Sequence, residues 1–135
     1  MSNIEETLSE EMYREHILDL YKSPHNFGDL EGATHKHKGF NPLCGDEITV
    51  QLIIKDGKVQ AVKFKGQGCA INIASSSLLT DEIKGKTTQA IMEMKTPDVL
   101  DLMKIPISSV RFKCALLGLE TLQKAVQGSE PDGNA

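Results

Sequence analysis

The chain has 135 residues, with 15 Lys and Arg against 19 Asp and Glu and a hydrophobic fraction of 39%. These totals fit one domain of ordinary globular composition, and a net charge of −4 argues against nucleic acid as the main partner. No run of about 18 apolar residues exists to form a membrane span, and the acidic start MSNIEETLSEEMYREH does not read as a signal peptide, so a cytoplasmic location is expected.

The first element is a helix in TLSEEMYREHILDLYKS, with Thr7 and Glu10 at capping-box spacing or Ser9 as N-cap. Met12, Tyr13, Ile17, Leu20 and Tyr21 recur on one face of it. SPHNFGDLEGA, with a proline and two glycines, reads as a loop. THKHKGF suits a short polar strand. EITVQLIIK alternates cleanly, with Ile48, Val50, Leu52 and Ile54 on one side. KDGK is a strong hairpin signal, and VQAVKFK returns as the partner strand. Its apolar phase slips at Ala61 and Val62, which predicts a bulge or burial on both faces. AINIASSSLLTDEIKGK reads as a helix ending near Gly85. TTQAIMEMKTPDVLDLMKI gives two short helices split at Pro97. VRFKCALLGLETLQKAV is the last long helix, with Ser108 or Ser109 as cap. The expected organisation is a flexible N-terminus over 1–8, one domain over 9–127 and a disordered tail over 128–135.

The three cysteines are far apart in sequence and odd in number. That argues against a disulfide framework and for free thiols used in metal binding or chemistry. Cys44 follows the turn NPLCGD and precedes a strand. Cys69 follows a Gly-x-Gly loop and precedes a helix. Cys114 lies near the start of the last helix. Element junctions present side chains for function, and helix N-termini favour an anionic sulfur. The three thiols with Asp46 make a four-coordinate set having one harder, more labile ligand. Soft thiolates select zinc or an iron–sulfur cluster. No Cys-x-x-Cys pair supports this, and Cys114, beside Ala115 and Leu116, also suits a small buried apolar side chain.

Three motifs, in order, carry a family resemblance: NPLCGDEITVQL, FKGQGCAINIASSSLLTDEIKGK and RFKCALLGLETLQKA. With SPHNFG before the sheet, the chain resembles the U-type iron–sulfur assembly proteins (the IscU, SufU and NifU N-terminal family) over residues 12–127. The resemblance implies an α+β fold, a three-stranded antiparallel sheet with helices packed on one face and around it. It implies a metal site at Cys44, Asp46, Cys69 and Cys114, taking a [2Fe–2S] cluster or Zn²⁺. Lys113 stands where IscU-type scaffolds have histidine, which is similar to SufU, yet the insertion usual in SufU between the second and third cysteines is absent. An ammonium is no ligand but stabilises neighbouring thiolates, so Lys113 is expected to tune them. The proline pair read by an Hsp70-type chaperone is missing from ISSVRFKC, which argues against a dedicated chaperone of that kind.

The other motifs carry less. His35 and His37 share a strand face, better read as a solvated edge than as a metal pair. His16, among apolar residues, reads as a satisfied interface histidine, and His25 carries no signal. Ser75, Ser76 and Ser77 serve either the site or tight helix packing. KFKGQ docks an acidic partner or merely solvates the hairpin.

Two functions follow from the resemblance. In the first, the chain is a non-enzymatic scaffold that receives sulfur from a cysteine desulfurase, builds a [2Fe–2S] cluster and passes it to apo acceptor proteins; a homodimer bridged by the cluster is compatible. In the second it is a SufU-like zinc-dependent sulfurtransferase in which Cys114 accepts the persulfide. A zinc-stabilised interaction module without chemistry is the plainest alternative.

Overall fold

The computed structural model describes residues 3–42, 45–104 and 106–128, with the side chains of 3–10, 13 and 110 left out. Helix α1 spans Asn3–Lys22. Strands β1 (His35–Asn41), β2 (Asp46–Lys55) and β3 (Lys58–Gln67) form one antiparallel sheet in the order β1-β2-β3. Helices α2 (Ala70–Ile83), α3 (Thr88–Met92) and α4 (Thr96–Met103) follow, and a 3-10 turn, Ser109–Arg111, leads into α5 (Phe112–Val126). The α+β architecture is the expected one.

The KDGK hairpin forms as the sequence requires, with Asp56 at φ 55° and Gly57 at φ 74°, the left-handed pair that matches strand twist. The phase slip in β3 is a bulge. Ile53 pairs with Ala61 but Ile54 with Val59, leaving Gln60 as the extra residue. The inner face of the sheet, Ile48, Val50, Leu52, Val62 and Phe64, packs against Ile73, Ile83, Leu117 and Leu122 of α2 and α5. Each such side chain contributes about 1.5–3 kcal/mol on burial. The loop over 23–34 covers the opposite face. There the Leu30 N–H donates to Gln51 Oε1, and Gln51 Nε2 donates to the Gly28 carbonyl, so Gln51 is buried but satisfied.

Helix α2 is enclosed on every side. The sheet core touches Ile73, Leu79 and Ile83, while Ala74 packs into a second cluster with Ile17, Leu20 and Met103. That explains why AINIASSSLLTDEI lacks a single apolar stripe. Gly85, at φ 82°, ends the helix as expected.

Four expectations need correction. Helix α1 begins at Asn3, so Thr7 and Ser9 lie within it rather than capping it. Of its apolar face only Ile17 and Leu20 are buried among the described side chains, whereas Met12 is 69% and Tyr21 46% exposed, because α1 meets only a narrow strip beside α2. Pro97 lies in the first turn of α4 instead of splitting the helices, a position where its missing N–H costs nothing. Ser108 precedes a 3-10 turn that Ser109 opens, and neither the Ser108 nor the Arg111 N-cap position has a side-chain capping bond. Of the expected tail, residues 129–135 lie outside the described residues.

Candidate metal centre

The turn between β1 and β2 positions the first site residue. Asn41 pairs with Asp46, and the Gly45 N–H donates to the Asn41 carbonyl at 2.9 Å. Gly45 takes φ 70°, a left-handed conformation that glycine adopts without a Cβ penalty. Asp46 thereby opens β2 with only 3% of its surface exposed.

The hairpin brings the second residue alongside. Glu47 faces Gln67, so the chain leaves β3 next to Asp46. A Cβ on Gly66 would run into the Glu47 carbonyl, and a Cβ on Gly68 would stand 2.5 Å from Asn72 Nδ2 and 2.8 Å from Asp46 Cγ. The Gly-x-Gly before Cys69 is therefore a close-approach device: Gly66 lets the strands close, and Gly68 lets α2 begin against the carboxylate. Cys69 is the N-cap of α2, with extended backbone, and its thiol donates to Asp46 Oδ2 at 3.7 Å.

Cys114 arrives from the far end of the chain. It is the third residue of α5 and 5% exposed. Helix α5 lies close on α2 because Gly118 has no side chain; a Cβ there would be 2.7 Å from Ser76 Oγ. Ser75, Ser76 and Ser77 are all buried, so the serine run serves tight packing. The ligand atoms of Asp46, Cys69 and Cys114 all lie within 4.8 Å of one another, and both cysteines are thiols.

This donor set fits a metal. Zn–S bonds of about 2.3 Å place two tetrahedral thiolate sulfurs roughly 3.8 Å apart, so no backbone movement is needed. Both sulfurs sit at helix N-termini, where unpaired N–H groups stabilise negative charge. Two soft donors and one hard one suit zinc or iron with sulfide and disfavour a hard cation such as Mg²⁺.

Of the five site residues expected from the sequence, the structure brings three together. Cys44 lies outside the described residues, between Pro42 and Gly45. Lys113 is exposed and lines a small cleft with Asn41, Pro42 and Glu120, on the side of α5 facing the β1–β2 turn. His35 and His37 are half-buried on β1 and join no metal-binding group among the described residues. Burial, and then the Lys124 charge, holds His37 below the usual imidazole range. His16 is exposed rather than an interface residue.

His25, uninformative in sequence, anchors the loop: its Nδ1 lies 2.6 Å from Asp81 Oδ2, and Asn26 Nδ2 donates to Asp81 Oδ1 at 2.8 Å. Burial pushes the Asp81 carboxyl up, but these hydrogen bonds and the His25 and Lys84 charges outweigh it and hold the group below the usual carboxylate range. In KFKGQ, Lys65 pairs with Asp29 at 2.6 Å. Sequence reasoning missed Asn72, which is fully buried beside Gly68 with neither amide atom hydrogen-bonded among the described residues. An asparagine in an otherwise small and apolar helix start was its only signal.

The described helices include none long and apolar enough to cross a membrane. The family described as NifU-like N terminal domain matches residues 12–130. The chain is 35% identical to the iron–sulfur cluster assembly scaffold protein IscU of Thermotoga maritima, over 86% of this chain and 93% of that protein. It is 34% identical to the zinc-dependent sulfurtransferase SufU of Bacillus subtilis, over 91% and 94%. That second alignment spans 140 positions against 135 residues here, so the Bacillus protein carries residues this chain lacks. Among solved structures, FiSufU of Fervidobacterium islandicum matches with a TM-score of 0.69 at 31% identity, over 82% of this chain and 93% of that one. The relatives thus carry both the IscU and the SufU names, and the chain belongs to the NifU-like N-terminal domain family that contains them.

Proposed function

We propose that this chain is an iron–sulfur cluster assembly scaffold. It receives sulfur from a cysteine desulfurase, holds a nascent [2Fe–2S] cluster as cargo on Cys44, Asp46, Cys69 and Cys114, and passes the cluster to apo acceptor proteins in the cytoplasm. The observation that supports this reading is the convergence of the Asp46, Cys69 and Cys114 ligand atoms within 4.8 Å. Iron in such clusters prefers thiolates, and a carboxylate in place of one weakens the hold. An exchangeable oxygen ligand suits a protein whose cargo must leave. Cys44 is the proposed fourth ligand on its sequence position, two residues before Asp46.

Sulfur reaches the site by thiolate exchange. A cysteine thiolate of the site attacks the outer sulfur of the desulfurase persulfide. The S–S bond breaks, the desulfurase cysteine leaves as a thiolate, and the outer sulfur stays on the attacking cysteine as a new persulfide. No external oxidant or reductant is needed for this transfer.

A second reading is favoured by Lys113. With a cation where an imidazole ligand would stand, the same four residues suit tetrahedral Zn²⁺, and the chain is then a sulfurtransferase whose Cys114 accepts the persulfide.

Transfer separates the two. Protein reconstituted with iron, cysteine, a desulfurase and a dithiol reductant, which supplies the two electrons that turn each persulfide sulfur into sulfide, is mixed with a [2Fe–2S] apo-ferredoxin, and holo-ferredoxin is followed by its visible spectrum. The scaffold reading expects formation faster than from iron and sulfide alone at equal concentration. Persulfide on the chain with no acceleration of cluster delivery overturns it in favour of the second.

A further inference from the structure

Asn72 is a buried polar residue beside the site whose hydrogen-bonding groups are unused among the described residues. It sits in the first turn of α2 with 0% exposure, and neither its Nδ2 nor its Oδ1 has a hydrogen-bond partner among the described residues. A buried primary amide left so costs about 1–3 kcal/mol relative to a satisfied one. The neighbouring sequence offers no packing reason for it, since Ala70, Ile71, Ile73 and Ala74 are apolar. Its position is specific. The point where a Gly68 Cβ would stand is 2.5 Å from Asn72 Nδ2 and 3.0 Å from Asp46 Oδ1. The amide donor and that carboxylate oxygen therefore flank the same bare stretch of backbone, while the other oxygen, Oδ2, faces the Cys69 thiol at 3.7 Å.

We propose that Asn72 is the positioning residue of the metal centre. When metal binds, Cys69 gives up its thiol proton, and Asp46 loses that donor. Asp46 would then offer Oδ2 to the metal, and Oδ1, on the Gly68 side, would accept a hydrogen bond from Asn72 Nδ2. Oriented carboxylates of this kind are held by outer groups whose removal weakens metal affinity by about 10–100-fold. Gly68 belongs to the same device, because any side chain there would separate amide from carboxylate. The buried amide is thus held ready for the Asp46 carboxylate.

This inference rests on the metal-centre reading, and the test separates the two. Zinc affinity of metal-free protein is measured by competition with a chromophoric chelator for wild type, Asn72→Leu, Asp46→Ala and the double variant. The thermal midpoint of each metal-free protein is recorded alongside. The expected result is a 10–100-fold loss of affinity in Asn72→Leu, with a metal-free midpoint equal to or above that of wild type, and no further loss when Asn72→Leu is added to Asp46→Ala. Where leucine prevents folding, Asn72→Ala removes the amide without adding volume and decides the matter. Affinity unchanged in the Asn72 variant, or lost equally with and without Asp46, overturns the proposal. Wild-type protein that binds no zinc overturns the metal-centre reading itself and this inference with it.

Discussion

The Cys69 thiol donates to the Asp46 carboxylate at 3.7 Å, across 23 residues of sequence. The contact is made by the β2–β3 hairpin, whose register sets the start of β2 against the end of β3, and by two glycines that leave room for it. It places the hard donor of the proposed site next to a soft one, so the first prediction concerns that pair. In Asp46→Ala only thiolates remain to hold a cluster. The expected outcome is a longer-lived cluster and transfer to an apo acceptor slowed several-fold, followed by visible absorption under anaerobic conditions. Faster transfer from an equally loaded protein contradicts the labile-ligand role.

Lys113 separates scaffold from sulfurtransferase. An ammonium near a partly shielded thiolate strengthens it by electrostatic attraction, on the order of tenfold in reactivity at most. In metal-free protein lacking Cys44 and Cys69, adding Lys113→Ala is expected to slow alkylation of Cys114 at neutral pH. Identical rate profiles with and without the change make Lys113 an ordinary surface residue.

Gly66 marks a close backbone approach between β2 and β3. It has φ 151°, and a Cβ there would meet the Glu47 backbone carbonyl. Backbone cannot give way as a flexible side chain does, so Gly66→Ala is expected to destabilise the fold by about 1–3 kcal/mol. Urea unfolding checks this, and an unchanged midpoint contradicts the close strand approach.

Acid sensitivity has a named source. Burial, and then Lys124, lowers the His37 pKa from its usual 6.5, so the folded chain takes up the proton less readily than the unfolded one. The sign follows directly: stability is full above about 6.5 and is lost as pH falls from there towards the lowered folded value. The thermal midpoint should drop on acidification through this window, and His37→Gln should drop less. Parallel curves for the two proteins contradict the assignment.

Much of this was legible in the sequence because short-range chemistry dictated it. KDGK required a hairpin, and the slip at Ala61 and Val62 marked the bulge at Gln60. With the hairpin known, Asp46 and Cys69 had to be neighbours. Cys114 was different: its place depends on how α5 lies over α2 through Gly118 and Ser76, a long-range contact that no local pattern encodes, so the sequence offered it only as a junction thiol that the resemblance then joined to the others. The α1 face was misjudged because Met12 and Tyr21 have helical spacing but no surface to cover them. Asn72 escaped notice because its meaning lies in what it fails to touch.

The central claim is one shared cluster site, and metal analysis of cysteine variants tests it most directly. Wild type, Cys44→Ser, Cys69→Ser and Cys114→Ser are purified anaerobically and reconstituted with iron, cysteine, a desulfurase and a dithiol reductant; iron, zinc and acid-labile sulfide are then quantified per chain. The account predicts iron and sulfide in equal amounts in wild type and loss of both in each variant. One zinc per wild-type chain with no acid-labile sulfide, or full iron and sulfide in two of the three variants, would contradict it.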